Sequence, residues 1–162
     1  MNYSTIKYND DSLRLGVRTV LSVCGCNHDC LSCDSPLLCD PNYGQEFTRN
    51  TLADIVKSLD NDNVNGLVIK GGDPLYPQNR ESICSLTRTL KAIFGKAKSI
   101  ILYTGYTIQE IKSFDDPYTD ELLNYIDIII DGRDSVSPKR KRCYEVVTTG
   151  GSRRFRELYI RV

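Results

Sequence analysis

Short apolar runs alternate with amphipathic stretches along the chain, and each predicts an element. Leu13 to Cys24 is rich in Val and Leu with period-two stretches, which predicts a strand running into a cysteine-rich segment. Between Cys26 and about Glu46, Gly, Asn, Asp, Ser and Pro recur without periodicity, so this segment reads as a loop. Leu52, Ile55, Val56 and Leu59 fall at i, i+3, i+4 and i+7, which predicts a helix with one buried face, and Thr51 with Asp54 resembles a capping box at its start. Gly66 to Lys70 reads as a buried strand closed by the tight loop Gly71-Gly72-Asp73-Pro74, where Asp73 is placed to cap the following helix. That helix is marked by Ile83, Leu86, Leu90 and Phe94, the next strand by Ser99 to Tyr103, and a short helix by the pair Thr107 and Glu110. Asp127 to Ile130 is the last predicted strand, ended by Asp131-Gly132.

Strand and helix in alternation predict an α/β fold with mostly parallel strands, because parallel neighbours need crossover connections. Ligands of such sheets sit at the carboxyl ends of the strands. The cysteine loop, Gly71 to Pro74, Thr104-Gly105-Tyr106 and Asp131-Gly132 all fall at predicted strand ends, so four polar or glycine-rich loops converge on one rim.

A length of 162 residues argues for one domain spanning the chain. Within it we distinguish a cluster loop, 24–40, and a basic C-terminal extension, 133–162, that holds nine Lys or Arg against three Asp or Glu. The run Pro138-Lys139-Arg140-Lys141-Arg142 reads first as a solvated loop, with a docking patch for a partner as the alternative. Acidic and basic residues balance at 21 each, so no net field favours nucleic acid or an anionic membrane. No apolar run approaches the ~20 residues that cross a bilayer, and Met1-Asn2-Tyr3-Ser4 does not open a secretory leader, so a cytoplasmic protein is expected.

Cysteine changes the picture most: there are seven, five of them within the 16 residues from Cys24 to Cys39. A disulfide framework suits short secreted chains, whereas clustered thiols in a reducing compartment more often hold a metal. Cys26, Cys30 and Cys33 have the spacing CxxxCxxC. Three thiolates on so short a loop can fold round one iron–sulfur cubane and leave one iron open. A zinc-stabilised binding module, with Cys24, His28 or Cys39 as fourth ligand, is the alternative. Cys24, Cys84 and Cys143 read as packed or remote thiols, and Cys39 as a non-ligand whose loop could still fold back. His28, the only histidine, reads as a hydrogen-bonding or exposed residue.

CxxxCxxC after a first strand, followed by Gly-Gly-Asp-Pro after the second, resembles the radical S-adenosylmethionine superfamily. More narrowly, Gly71 to Asn79 (GGDPLYPQN), Tyr103-Thr104-Gly105-Tyr106 and Asp127 to Gly132 (DIIIDG) resemble the activating proteins of anaerobic (class III) ribonucleotide reductases. The likeness runs from about Val17 to Gly132. It implies an incomplete (β/α) barrel, and a 4Fe-4S cluster on Cys26, Cys30 and Cys33 whose free iron takes S-adenosylmethionine. Ser32, Cys33, Asp34, Gly71, Gly72 and Asp73 would contact that cofactor, the two glycines because a Cβ would obstruct it. Thr104 and Asp131 are further candidates that could instead close turns. No protein side chain would act as a catalytic group, since cluster and cofactor carry the chemistry. The implied activity is an activase that forms a glycyl radical on the large reductase subunit, supplied by an electron donor such as a flavodoxin. An activase of another glycyl radical enzyme is a further alternative. The chain departs from the family at Ser12 to Gly16, Asp34-Ser35 and Gly151 to Phe155.

Overall fold

A computed structural model describes residues 1–30, 33–132, 141–149 and 152–160. It contains eight strands: β1 (Asn2–Asp10), β2 (Arg18–Val23), β3 (Gln45–Glu46), β4 (Gly66–Gly71), β5 (Ser99–Tyr103), β6 (Ile128–Ile130), β7 (Lys141–Thr149) and β8 (Ser152–Ile160). Its helices are α1 (Arg49–Leu59), α2 (Arg80–Phe94), α3 (Ile108–Lys112) and α4 (Pro117–Leu122), and Pro36–Cys39 forms one 3-10 turn.

All eight strands join one sheet in the order β3-β1-β2-β4-β5-β6-β7-β8. The centre, β2-β4-β5-β6, is parallel, as the alternation of strands and helices requires. Both flanks are antiparallel: β1 pairs with β2 and β3 on one side, and the hairpin β7-β8 follows β6 on the other. The sheet is therefore open and mixed, and parallel pairing describes only its middle.

The two faces of the sheet are covered differently. Leu21, Val23, Leu67, Ile69, Ile100, Leu102 and Ile129 pack with Ile55, Leu59, Ile83, Leu86 and Leu90 of α1 and α2. Full burial of each such side chain stabilises by about 1.5–3 kcal/mol. The alternate residues Val20, Val68, Ile101 and Ile130 meet Cys143 on the second face, with Leu13 and Leu15 against them. This period-two division is why the central strands read as continuous apolar runs.

Several expectations are corrected. The first predicted strand begins at Arg18 rather than Leu13: Arg14 and Gly16 have positive φ, and the bend folds Leu13 and Leu15 onto the second face. Helix α1 is capped by Thr48, whose side chain accepts from the Thr51 amide, so Thr51 is the third helical residue and not the cap. Asp73 does not cap α2, which starts at Arg80. Asp116 caps α4, an element the periodicity did not indicate. Lys141 and Arg142 belong to β7, so that part of the basic run is strand, while Pro138, Lys139 and Arg140 lie outside the described residues. Among the described residues no helix is long and apolar enough to cross a membrane.

Candidate functional site

The carboxyl ends of β2, β4, β5 and β6 meet over the second face of the sheet. There they line a cavity of about 1070 Å³ whose walls include Cys26, Cys30, Cys33, Asp34, Gly71, Gly72, Thr104 and Asp131. Of the described residues expected to hold the cluster or touch the cofactor, Asp73 alone is not on this wall, and Ser32 lies outside the described residues.

Backbone hydrogen bonds set the cysteine loop. The amides of Gly72 and Asp73 donate to the carbonyls of Val23 (2.8 Å) and Gly25 (2.7 Å), which stitches the end of β2 to the end of β4. Gly25 and Cys26 donate to the carbonyls of Leu38 and Cys39, so the loop returns alongside its own start. The buried Asn79 side chain donates to the carbonyls of Cys24 (2.8 Å) and Asp73 (3.0 Å). Asn79 ends the run GGDPLYPQN, in which the sequence assigns it no role, and in the structure it is this clamp.

The two glycines are explained by the same packing. A Cβ on Gly71, where φ is +119°, would lie 2.4 Å from the Val23 carbonyl oxygen. One on Gly72 would lie 2.5 Å from the carbonyl oxygens of both Gly25 and Leu38. Their missing side chains admit protein backbone, while their own backbone faces the cavity.

Asp73 is fully buried, and its carboxylate is occupied from within the protein. Oδ1 accepts from the Leu75 amide (2.7 Å) and Oδ2 from the Gly105 amide (2.8 Å), and the Thr104 hydroxyl lies 2.9 Å from both oxygens. His28 Nε2 stands 2.6 Å from Oδ2, and because the carboxylate accepts from every neighbour, Nε2 is assigned as a donor. The imidazole is buried and meets the Tyr106 ring edge-on at 4.4 Å. The Tyr106 hydroxyl in turn donates to Asn27 (2.8 Å). Asp73 and Thr104 thus join three strand ends. Asp131 accepts from the Ile108 amide at the start of α3 (2.9 Å) while it lines the cavity. The hydrogen-bonding role expected of His28 is present, and its partner, 45 residues away, had no sequence signal.

The cysteines divide into two groups. Cys24, Cys84 and Cys143 are fully buried, and Cys143 packs with Val20, Val68, Ile101 and Ile130. Cys26, Cys30 and Cys33 share the cavity, and the Cys39 thiol stands near enough to those of Cys33, Cys26 and Cys30 to interact with them. Burial pushes the Cys26 thiol up to about 11, against the lowering effect of the His28 amide, with Asp73, Cys39 and Cys30 also raising it. Burial also raises the Cys39 thiol, as does the neighbouring Cys33. All seven cysteines are free thiols, and among the described residues no three or more His, Cys, Asp or Glu side chains converge as a closed metal cage. The thiols are neighbours with soft sulfur donors on one wall, which suits iron and sulfide.

Comparison with known proteins agrees with this chemistry. The family described as a 4Fe-4S single cluster domain matches residues 15–149. A protein of Enterobacteria phage T4, named an anaerobic ribonucleoside-triphosphate reductase-activating protein, is 42% identical over 133 residues, 82% of this chain and 81% of that one. Proteins of the same name from Vibrio cholerae and Escherichia coli K12 are 32% and 31% identical over 120 residues, 73% of this chain and 74% and 75% of theirs. With a cysteine-lined cavity at the parallel strand ends and these matches over most of its length, the chain belongs to the family of anaerobic ribonucleoside-triphosphate reductase-activating proteins, built on a 4Fe-4S single cluster domain.

Proposed function

We propose that this chain is a radical S-adenosylmethionine activase acting on the large subunit of an anaerobic ribonucleotide reductase. The observation that carries the reading is the sharing of one cavity by Cys26, Cys30 and Cys33 with the Gly71-Gly72 backbone. Cys26, Cys30 and Cys33 would hold the 4Fe-4S cluster. When bound, it supplies the electron that splits S-adenosylmethionine into methionine and a 5′-deoxyadenosyl radical, which takes hydrogen from a glycine Cα of the reductase.

The chain's own part is placement. Gly71 and Gly72 present backbone to the cavity without side chains, and Cys33, Asp34, Thr104 and Asp131 stand on the same wall to receive the cofactor's polar end; Ser32 belongs to this proposal by its place in the loop. Asp73 acts from behind that wall by fixing Thr104 and Gly105. Val20 and Ile130 give the cavity an apolar floor that limits water. We read the face opposite the helices as the interior of a partial barrel in a single domain, with its open side facing the partner. A reducing cytoplasm and an electron donor such as a flavodoxin complete the proposal, in keeping with seven free thiols.

Anaerobic reconstitution with iron and sulfide tests it. About four irons per chain, dithionite-dependent formation of 5′-deoxyadenosine, and a glycyl radical signal when the reductase is added are expected. A colourless zinc protein, or a loaded protein that leaves S-adenosylmethionine intact, would overturn it.

A further inference from the structure

Both backbone polar groups of His28 are committed to candidate cluster ligands. Its amide donates to Cys26 Sγ at 3.4 Å, and its carbonyl accepts from the Cys30 amide at 2.9 Å. Its ring is held on three sides. Nε2 donates to Asp73 at 2.6 Å, Tyr106 meets the ring edge-on, and Gly105 lies so close that a Cβ there would stand 2.3 Å from the ring carbon Cδ2. Asp73 is itself fixed by the amides of Leu75 and Gly105, which lie in the loops that follow β4 and β5. The loop between Cys26 and Cys30 is thus pinned through one side chain to the rigid part of the sheet.

We propose that His28 is a positioning residue that fixes the orientation of its own amide toward Cys26 Sγ and thereby raises the reduction potential of the cluster. The proposal rests on the assignment of Cys26 as a ligand made above. Reduction adds negative charge to the cluster and its sulfurs, so a fixed N–H dipole stabilises the reduced state more than the oxidised one. Hydrogen bonds to cluster sulfurs are among the terms that set such potentials. Without the imidazole the loop loses its tie to Asp73, the amide is no longer held, and the reduced state loses that stabilisation. Gly105 follows from the same arrangement, since its missing side chain is the space the imidazole fills.

The test is a potentiometric titration of the reconstituted cluster, followed by electron paramagnetic resonance, in the full-length protein and in His28→Ala, His28→Asn and His28→Gln. Iron content and thermal unfolding are measured on each. Asn is too short to reach Asp73, and it replaces Ala if that variant does not fold. Gln carries an amide donor at a similar distance and serves as the rescue. The expected result is iron near the wild-type level in all variants. At the wild-type midpoint, the ratio of reduced to oxidised cluster should fall about tenfold in Ala or Asn, a shift of about 59 mV for one electron, and recover most of the way in Gln. An unchanged midpoint in Ala or Asn overturns the proposal, as does an equal fall in all three variants. Failure of the wild-type protein to take up a cluster would instead overturn the assignment of Cys26, which separates the two readings.

Discussion

The carbonyl of Cys39 accepts a hydrogen bond from the amide of Cys26 at 3.1 Å, and the two thiols are close enough to influence each other's charge. A residue six positions beyond the CxxxCxxC run is therefore a neighbour of its first cysteine, brought back by the 3-10 turn Pro36–Cys39. This proximity gives the question of the fourth ligand a structural form. If the open iron is to receive S-adenosylmethionine, Cys39 must act through its backbone rather than its sulfur. Cys39→Ala should accordingly keep about four irons per chain and most of its cofactor cleavage. Conversion to a three-iron form, read by electron paramagnetic resonance, would make Cys39 a ligand.

Gly72 is the position where the cysteine loop and the glycine-rich loop touch. A methyl group there would lie 2.5 Å from two carbonyl oxygens, Gly25 on one strand of the loop and Leu38 on the other. Neither is the end of a flexible side chain, so backbone has to move. Gly72→Ala should cost about 1–3 kcal/mol of stability, the range for overpacking. It should also impair iron retention more than a core truncation such as Ile69→Val, which costs about 0.5–1.5 kcal/mol and leaves the loop in place. Parallel denaturant unfolding and iron analysis on the two variants decide this, and equal iron loss would show the loop to be indifferent to Gly72.

The parallel centre of the sheet was legible because β4, β5 and β6 carry short unbroken runs of Leu, Val and Ile and β2 is rich in Val and Leu, as strands covered on both faces do. The flanks were not. Asn2–Asp10 is half exposed, and its Tyr3, Thr5, Ile6 and Tyr8 suit an edge position without making an apolar run. The hairpin β7-β8 was masked by its charge, although Gly150-Gly151 between two β-prone runs was an available signal. At the site, the run Cys26, Cys30, Cys33 and the pair Gly71-Gly72 were each legible as local patterns, but their meeting in one cavity comes from the closure of the parallel sheet. The tie from His28 to Asp73 joins residues 45 apart, and only the closure of the parallel sheet brings them into contact.

Tyr103 gives the alkaline limb of stability a specific source. Its side chain lies on the second face of the sheet beside Cys143, and burial, with Cys143 adding, pushes its phenol up to about 12. The unfolded chain releases this proton near ~10. Below that pH both states hold the proton and Tyr103 contributes fully. Between about 10 and 12 the unfolded state binds fewer protons than the folded one, so stability falls as pH rises. Urea unfolding from pH 9 to 12 should show a shallower decline in Tyr103→Phe than in the parent, and identical slopes would exclude Tyr103 as a contributor.

Arg18 holds the bend that carries Leu13 and Leu15 onto the second face. Its guanidinium is buried, with Nε donating to the Leu15 carbonyl at 2.8 Å and Nη1 to the Ser99 hydroxyl at 2.6 Å and carbonyl at 3.3 Å. Burial lowers its basicity and Asp127 opposes that, but an Arg remains charged at any physiological pH. The side chain therefore does two jobs from one planar group: one edge fixes the bend before β2 and another reaches the start of β5. Lys offers a single ammonium, which cannot serve both ends, and a hydrogen bond to a charged group is worth about 1.5–3 kcal/mol. Arg18→Lys should lose about that much in chemical denaturation, while Arg18→Met, which removes the buried charge with the bonds, should lose the bend without leaving an unpaired cation. Proteolysis distinguishes the local effect from the global one. Cleavage at Arg14 by trypsin should rise in both variants relative to cleavage at the helical Lys57. Unchanged cleavage at Arg14 would mean that the bend stands without Arg18 and that Leu13 and Leu15 hold it by their own packing.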